Sequence, residues 1–128
     1  MRKEIRTDKG AAPQGPYSQA IAAEGTTVYV SGQGPVDPET GEMQLGSFRE
    51  QAELAFKNVG TLLEAAGTSW ANAVKVGIFL ADLGNFPEMN EIYQTYVSAP
   101  FPARTTVQAG LPPKMAIEVD CIAVVPEA

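Results

Sequence analysis

The chain has 128 residues, 45% hydrophobic and 19% charged, and is expected to form a single domain over residues 1–128. Its net charge of −6, with no run of Lys and Arg, argues against nucleic acid as a partner. With no histidine and one cysteine, Cys121, it cannot hold a Ser-His-Asp triad, a Cys-His pair, a His-based zinc site or an intrachain disulfide. No apolar stretch has membrane-spanning length, and Met1–Arg6 lacks the apolar region of a signal peptide, so no membrane partner and a cytoplasmic setting are expected.

In chain order, Lys3 to Thr7 reads as a short edge strand, followed by a Gly-, Ala- and Pro-rich stretch to Pro16. Gly15-Pro16 then fixes the backbone ahead of Tyr17. Ile21–Ala23 and Thr27–Ser31 read as strands joined around Glu24-Gly25-Thr26 into a hairpin, with Val28 and Val30 on one face and Tyr29 and Ser31 on the other. Ser47-Phe48-Arg49-Glu50 is a capping box. The helix it opens carries Phe48, Ala52, Ala55, Phe56, Val59, Leu62, Leu63 and Ala66 on one stripe, with Gly67 placed as a left-handed cap. Gly60 inside it costs about 1 kcal/mol against alanine, which points to close packing there.

Val74, Val76, Ile78 and Leu80 alternate with Lys75, Gly77 and Phe79 as a strand. Asn85-Phe86-Pro87-Glu88 starts a second helix, with asparagine as cap, Met89, Ile92, Tyr93 and Tyr96 as its apolar stripe, and Ser98-Ala99-Pro100 as its close. A strand from Ala103 to Val107, a Gly110-to-Pro113 turn and a long strand from Met115 to Val125 complete the chain. Long alternating strands with two amphipathic helices give an α+β class, a mixed or antiparallel sheet with both helices on one face. The last strand puts Glu118, Asp120 and Ile122 on its other side, and a face mixing charge with apolar residues is a candidate subunit interface or site wall.

Among single residues, Arg104 stands at the start of a β-branched strand behind Pro100 and Pro102, one of four arginines. On a strand it is a rigid, permanently charged fork that forms either a surface ion pair or a two-bond grip on a planar carboxylate. Tyr17 reads as a core tyrosine with a satisfied hydroxyl or as a site residue. Glu118 sits amid apolar strand residues, where burial would raise its pKa and a nearby arginine would lower it. Gly32-Gln33-Gly34 lacks the third glycine of a dinucleotide loop and reads as a bulge or strand exit that admits a close neighbour to the backbone. Cys121 and Trp70 read as packing.

Taken together, Gly15-Pro16-Tyr17-Ser18-Gln19-Ala20, Ser31-Gly32-Gln33 with Pro35 and Asp37–Gly41, and Asn85-Phe86 with Met89-Asn90 and Tyr93 resemble the RidA (YjgF) family. Pro102–Val107, Leu111-Pro112 and Ile117-Glu118-Val119-Asp120 with Ile122-Ala123 complete the resemblance in family order. It implies a chorismate-mutase-like fold of the bacillus type, assembled as a homotrimer with a central barrel of sheets, helices outside and three sites in clefts between subunits. It also implies an enamine/imine deaminase that converts 2-aminoacrylate, 2-aminocrotonate and their imine tautomers to 2-oxo acids and ammonia with no cofactor and no metal.

Residue by residue, the family's carboxylate-binding arginine falls on Arg104 and its water-positioning glutamate on Glu118, the two catalytic assignments. Its tyrosine falls on Tyr17, its Ser-Gly pair on Ser31 and Gly32, and its asparagine on Asn90. Thr106 stands where many members have cysteine, keeping the backbone N–H that assists carboxylate binding, and the connections either side of Arg104 are shorter than in longer members. Two other readings remain at this level: a non-catalytic sensor of small carboxylates on the same fold, and an RNA-directed role, which the acidic balance disfavours.

Overall fold

A computed structural model of the chain describes residues 2–126. The elements are β1 (Arg2–Ile5), β2 (Ala20–Ala23), β3 (Thr26–Gln33), α1 (Phe48–Ala65), β4 (Ala73–Leu80), α2 (Phe86–Tyr93), β5 (Ala103–Gln108) and β6 (Ile117–Val125). Four strands make a mixed sheet in the order β3-β6-β4-β5, antiparallel except for the parallel pair β4 and β5. α1 lies on β6 and β3, and α2 packs on α1. No helix among the described residues is long and apolar enough to cross a membrane.

α1 forms where its local signals place it. Ser47 accepts from the Glu50 N–H while the Glu50 carboxylate accepts from the Ser47 N–H, so the capping box satisfies two otherwise orphaned donors. Ala52, Ala55, Phe56, Val59 and Leu63 are wholly buried beneath it. Gly67 takes a φ of 86° just past the helix. Gly60 does reflect close packing: a methyl there would stand 3.3 Å from the Trp70 indole, whose N–H donates to the Phe56 carbonyl. Leu62 and Ala66 are the exceptions to the predicted stripe. Both are exposed, Leu62 because it falls on the helix flank beside Asn58 and Thr61, Ala66 because it is already the helix cap.

The expected hairpin does not form. β2 pairs with β1, Ile5 opposite Ala20, while β3 pairs with β6 in the main sheet. Gly25, at φ 129° and packed against the Val125 carbonyl, turns the chain out of one sheet and into the other. β1 stops short of Thr7 because the Gln19 side chain takes over both Thr7 backbone groups. Similarly, β6 starts at Ile117 and not Met115. The Ala116 N–H donates to the buried Gln51 side chain, which in turn donates to the Lys114 carbonyl.

The second helix begins where expected, but Asn85 makes no capping bond. A 3-10 turn over Leu83–Asn85 precedes it, and Asp82 caps that turn through the Gly84 N–H. α2 also ends early, at Tyr93, as the Thr95 and Tyr96 N–H groups tighten onto carbonyls three residues back. Tyr96 lies past the helix and stacks on Phe56 at 5.2 Å.

Register decides the two faces of the sheet. Val76, Ile78 and Leu80 of β4 stand beside Cys121, Val119 and Ile117 of β6, all buried on the helix side. In β5, Arg104 and Thr106 share register with Val76 and Ile78 and therefore lie on that same face. Glu118, Asp120 and Ile122 lie on the other face, opposite Phe79, Gly77 and Lys75, with Tyr29 opposite Ile122. That open face carries Tyr29, 76% exposed, and the exposed Val107.

Candidate active site

Arg104 begins an edge strand, and neighbouring segments converge on its guanidinium from the helix side. The Gly15–Ala20 stretch is tied to the approach to β5: the Ser18 N–H donates to the Pro102 carbonyl at 3.1 Å and the Ser18 hydroxyl donates to the Phe101 carbonyl. This places the Tyr17 ring 5.4 Å from the guanidinium carbon, with its hydroxyl accepting from the Gln14 N–H. From α2, Asn90 Oδ1 accepts from Arg104 Nη1 at 2.6 Å, and the Phe86 and Tyr93 rings stand 5.5 and 5.0 Å away.

Burial lowers the Arg104 pKa from its ordinary value, and the Tyr93 and Tyr17 phenols act in the opposite direction. It stays charged at any physiological pH. No carboxylate among the described residues pairs with it; the ion pairs of Arg49, to Glu88 and Glu91, are exposed. A half-buried guanidinium held only by neutral groups keeps its full charge for an incoming anion.

Two residues beyond, the Thr106 hydroxyl is buried without a partner in the described structure, as is the Tyr93 hydroxyl. Burial raises the Tyr93 pKa well beyond its ordinary value, so this phenol stays protonated.

The second group lies elsewhere. Ser31 and Gly32 form a β-bulge between Val30 and Gln33, the extra residue that ends regular pairing with β6. Glu118 lies flat against Gly32: a methyl added there would stand 2.8 Å from the Glu118 carboxyl carbon. The neighbour admitted by this glycine is therefore the chain's own glutamate. Among the residues predicted from sequence, the structure brings Tyr17, Asn90 and Arg104 together with Thr106 nearby, and separately joins Gly32 to Glu118 beside Ser31. Arg104 and Glu118 point from opposite faces of the sheet, so one chain does not unite them. Two hollows of about 430 and 360 Å³ run along the 4–20 stretch and share Tyr17 in their walls, and neither is lined by Arg104.

Phe86 and Tyr93 were not read as site residues from sequence. The signal was present in their spacing: Phe86, Asn90 and Tyr93 fall at i, i+4 and i+7, one stripe of α2.

The family model described as Endoribonuclease L-PSP matches residues 7–125. Over 125 residues the chain is 44% identical to the 2-iminobutanoate/2-iminopropanoate deaminase of Mus musculus, covering 97% of this chain and 92% of the relative. The chain belongs to the RidA family. The solved RidA of the Antarctic bacterium Psychrobacter sp. PAMC 21119 is 42% identical, with a TM-score of 0.73 over 95% of this chain and 98% of that one. E. coli TdcF, solved with bound serine, is 35% identical with a TM-score of 0.71 over 95% and 98%. These RidA relatives share the α+β architecture of a mixed sheet with two helices.

Proposed function

We propose that the chain is a hydrolytic deaminase of reactive 2-enamine and 2-imino acids, such as 2-aminoacrylate and 2-aminocrotonate with its tautomer 2-iminobutanoate. Water adds to the imine carbon, the C–N bond breaks, and a 2-oxo acid and ammonia leave. The observation that carries this reading is Arg104: charged, half-buried, pre-oriented by Asn90 and three rings, and unpaired with any described carboxylate. The deaminase name of a relative 44% identical over nearly the whole length supports it, and TdcF's bound serine shows a relative holding a small amino acid.

Arg104 grips the substrate carboxylate through two N–H donors, helped by the Thr106 N–H, while Asn90 fixes the guanidinium and Tyr17 covers it. Ser31 and the Gly32 carbonyl contact the nitrogen-bearing end. Glu118 holds the water, accepts its proton as the C–O bond forms, and returns a proton to the departing nitrogen. An imine already hydrolyses in water, so positioning and proton transfer suffice, and a site without histidine is adequate.

The same reading makes the protein a homotrimer with a chorismate-mutase-like barrel. Arg104 stands on β5 at one edge of the sheet and Ser31-Gly32 on β3 at the other, with Glu118 leaning toward β3. A head-to-tail contact joining the β5 edge of one copy to the β3 edge of the next completes the site and closes into a ring. The exposed Tyr29 and Val107 on the open face are suited to burial in that contact.

The test is an imine-trapping assay. A dehydratase generates 2-aminoacrylate, and semicarbazide captures what survives. The wild type lowers the captured amount, Arg104→Ala does not, and Arg104→Lys is intermediate because it keeps charge without the fork. Capture with wild type equal to that without protein rejects the enzyme reading, and equal lowering by wild type and Arg104→Ala, both folded by thermal melt, rejects Arg104 as the grip. Stabilisation by 2-oxobutanoate without turnover would instead favour a carboxylate sensor. The net charge of −6 favours a small anion over RNA despite the family model's description.

A further inference from the structure

We propose that α2 is a charge-sparing clamp for Arg104, with Tyr93 as its base: a positioning residue that fixes the guanidinium without neutralising it. The inference rests on Arg104 being the carboxylate grip. An arginine on an edge strand has several freely rotating torsions, and two kinds of partner could still it. A carboxylate would hold it firmly and consume the charge that the substrate needs. The chain uses the other kind. Asn90 supplies one neutral acceptor, and Phe86 and Tyr93 present ring faces whose negative quadrupole attracts the cation.

These three side chains come from one stripe of one helix, so their mutual geometry is set by helical repeat alone. Tyr93 is the rigid member. It is wholly buried, its ring stands nearer the guanidinium than that of Phe86 or Tyr17, and 6.0 Å away it meets Phe56 in the core. Its hydroxyl has no partner among the described residues, so the ring and not a hydrogen bond is what it contributes. The chain of contacts Phe56, Tyr93, Arg104 thus couples the half-buried guanidinium to the hydrophobic core. Tyr17 closes the remaining side from a separate segment.

The experiment combines a spectroscopic and a kinetic readout on Tyr93→Leu, Phe86→Leu and the ring-keeping Tyr93→Phe. The ¹H–¹⁵N signal of Arg104 Nε, assigned by its loss in Arg104→Lys, reports ring-current shielding without reference to activity. Its upfield shift should shrink in Tyr93→Leu and Phe86→Leu and return in Tyr93→Phe. In the imine assay, the two leucine variants should raise KM about tenfold with kcat held within about twofold, the pattern of lost uniform binding, and Tyr93→Phe should recover KM. Calorimetric Kd for 2-oxobutanoate should rise in parallel. Should Tyr93→Leu fail to fold, Phe86→Leu at its half-buried position decides the question alone. Folded leucine variants with an unmoved Nε signal, or with wild-type KM and Kd, overturn the clamp. If the wild type does not lower the captured imine at all, the deaminase assignment fails, whereas the Nε shift and the 2-oxobutanoate Kd still test the clamp.

Discussion

Gly32→Ala separates folding from catalysis at a single methyl group. That methyl would stand 2.8 Å from Glu118 Cδ and 3.1 Å from Cγ. Carbon pairs rest at about 3.5–4.0 Å, so the carboxylate must retreat by roughly 1 Å. Folding barely notices. Glu118 is only half-buried and can swing away, Gly32 is exposed, and alanine in a strand recovers about 0.5–1 kcal/mol of backbone entropy. The chemistry is less tolerant, because a displacement of about 1 Å in a positioned group costs about 100-fold in rate, or roughly 2.7 kcal/mol in barrier. The imine-trapping assay should therefore show kcat/KM down about 100-fold, with a urea midpoint close to wild type and an unchanged Kd for 2-oxobutanoate, for which Arg104 is the proposed grip. A Gly32→Ala protein with wild-type kcat/KM would refute the placement of Glu118 as the water-holding group. One that unfolds would refute the claim that only a side-chain end is displaced.

Three further outcomes follow from the same structure. Tyr29→Arg, placed at the most exposed aromatic of the open face, should convert the proposed trimer to smaller species by light scattering while leaving far-UV circular dichroism intact. Ser47→Ala removes half of the capping box and should cost about 1 kcal/mol, read as a lower urea midpoint at fixed protein concentration. At alkaline pH the protein should lose stability. Burial, with a contribution from Asp120, raises the Cys121 thiol from 9.0 to about 12, so folding favours the neutral form. Because the folded pKa lies above the unfolded one, that contribution is complete below about pH 9 and disappears as pH rises through about 12. Cys121→Ala should flatten the fall in urea midpoint over this window, and an unaltered slope would remove the thiol as a source.

Local signals were legible wherever one segment sufficed to satisfy them. The capping box, the buried α1 stripe of Ala52, Ala55, Phe56, Val59 and Leu63, the left-handed Gly67 and the alternation along β6 and along β4 from Val76 onward all depend on residues within one helix turn or one strand repeat, whereas Val74 falls at a bulge and is only half-buried. The four-strand alternation also told which residues share a face, so Cys121 was placed correctly beside Val119 in the core. Family resemblance added the addresses of Arg104, Tyr17 and Asn90, which the fold then brought within contact.

Partner choice was not legible. Nothing in Ile21–Ala23 says that it will pair with β1 and not with β3, because period two specifies the side a residue faces and is silent on which strand lies next to it. The Gln19 and Gln51 side chains end strands by imitating a backbone partner, at separations that no local pattern reports. The same limit governs the site. Arg104 and Glu118 each read as functional by position, but only the register of β4 between them reveals that they face opposite ways. Sequence thus determined the parts and their inward or outward sense, since those follow from short-range periodicity and sterics. Tertiary structure decided which parts meet, because contact across 14 residues from Asn90 to Arg104 depends on packing that no repeat encodes.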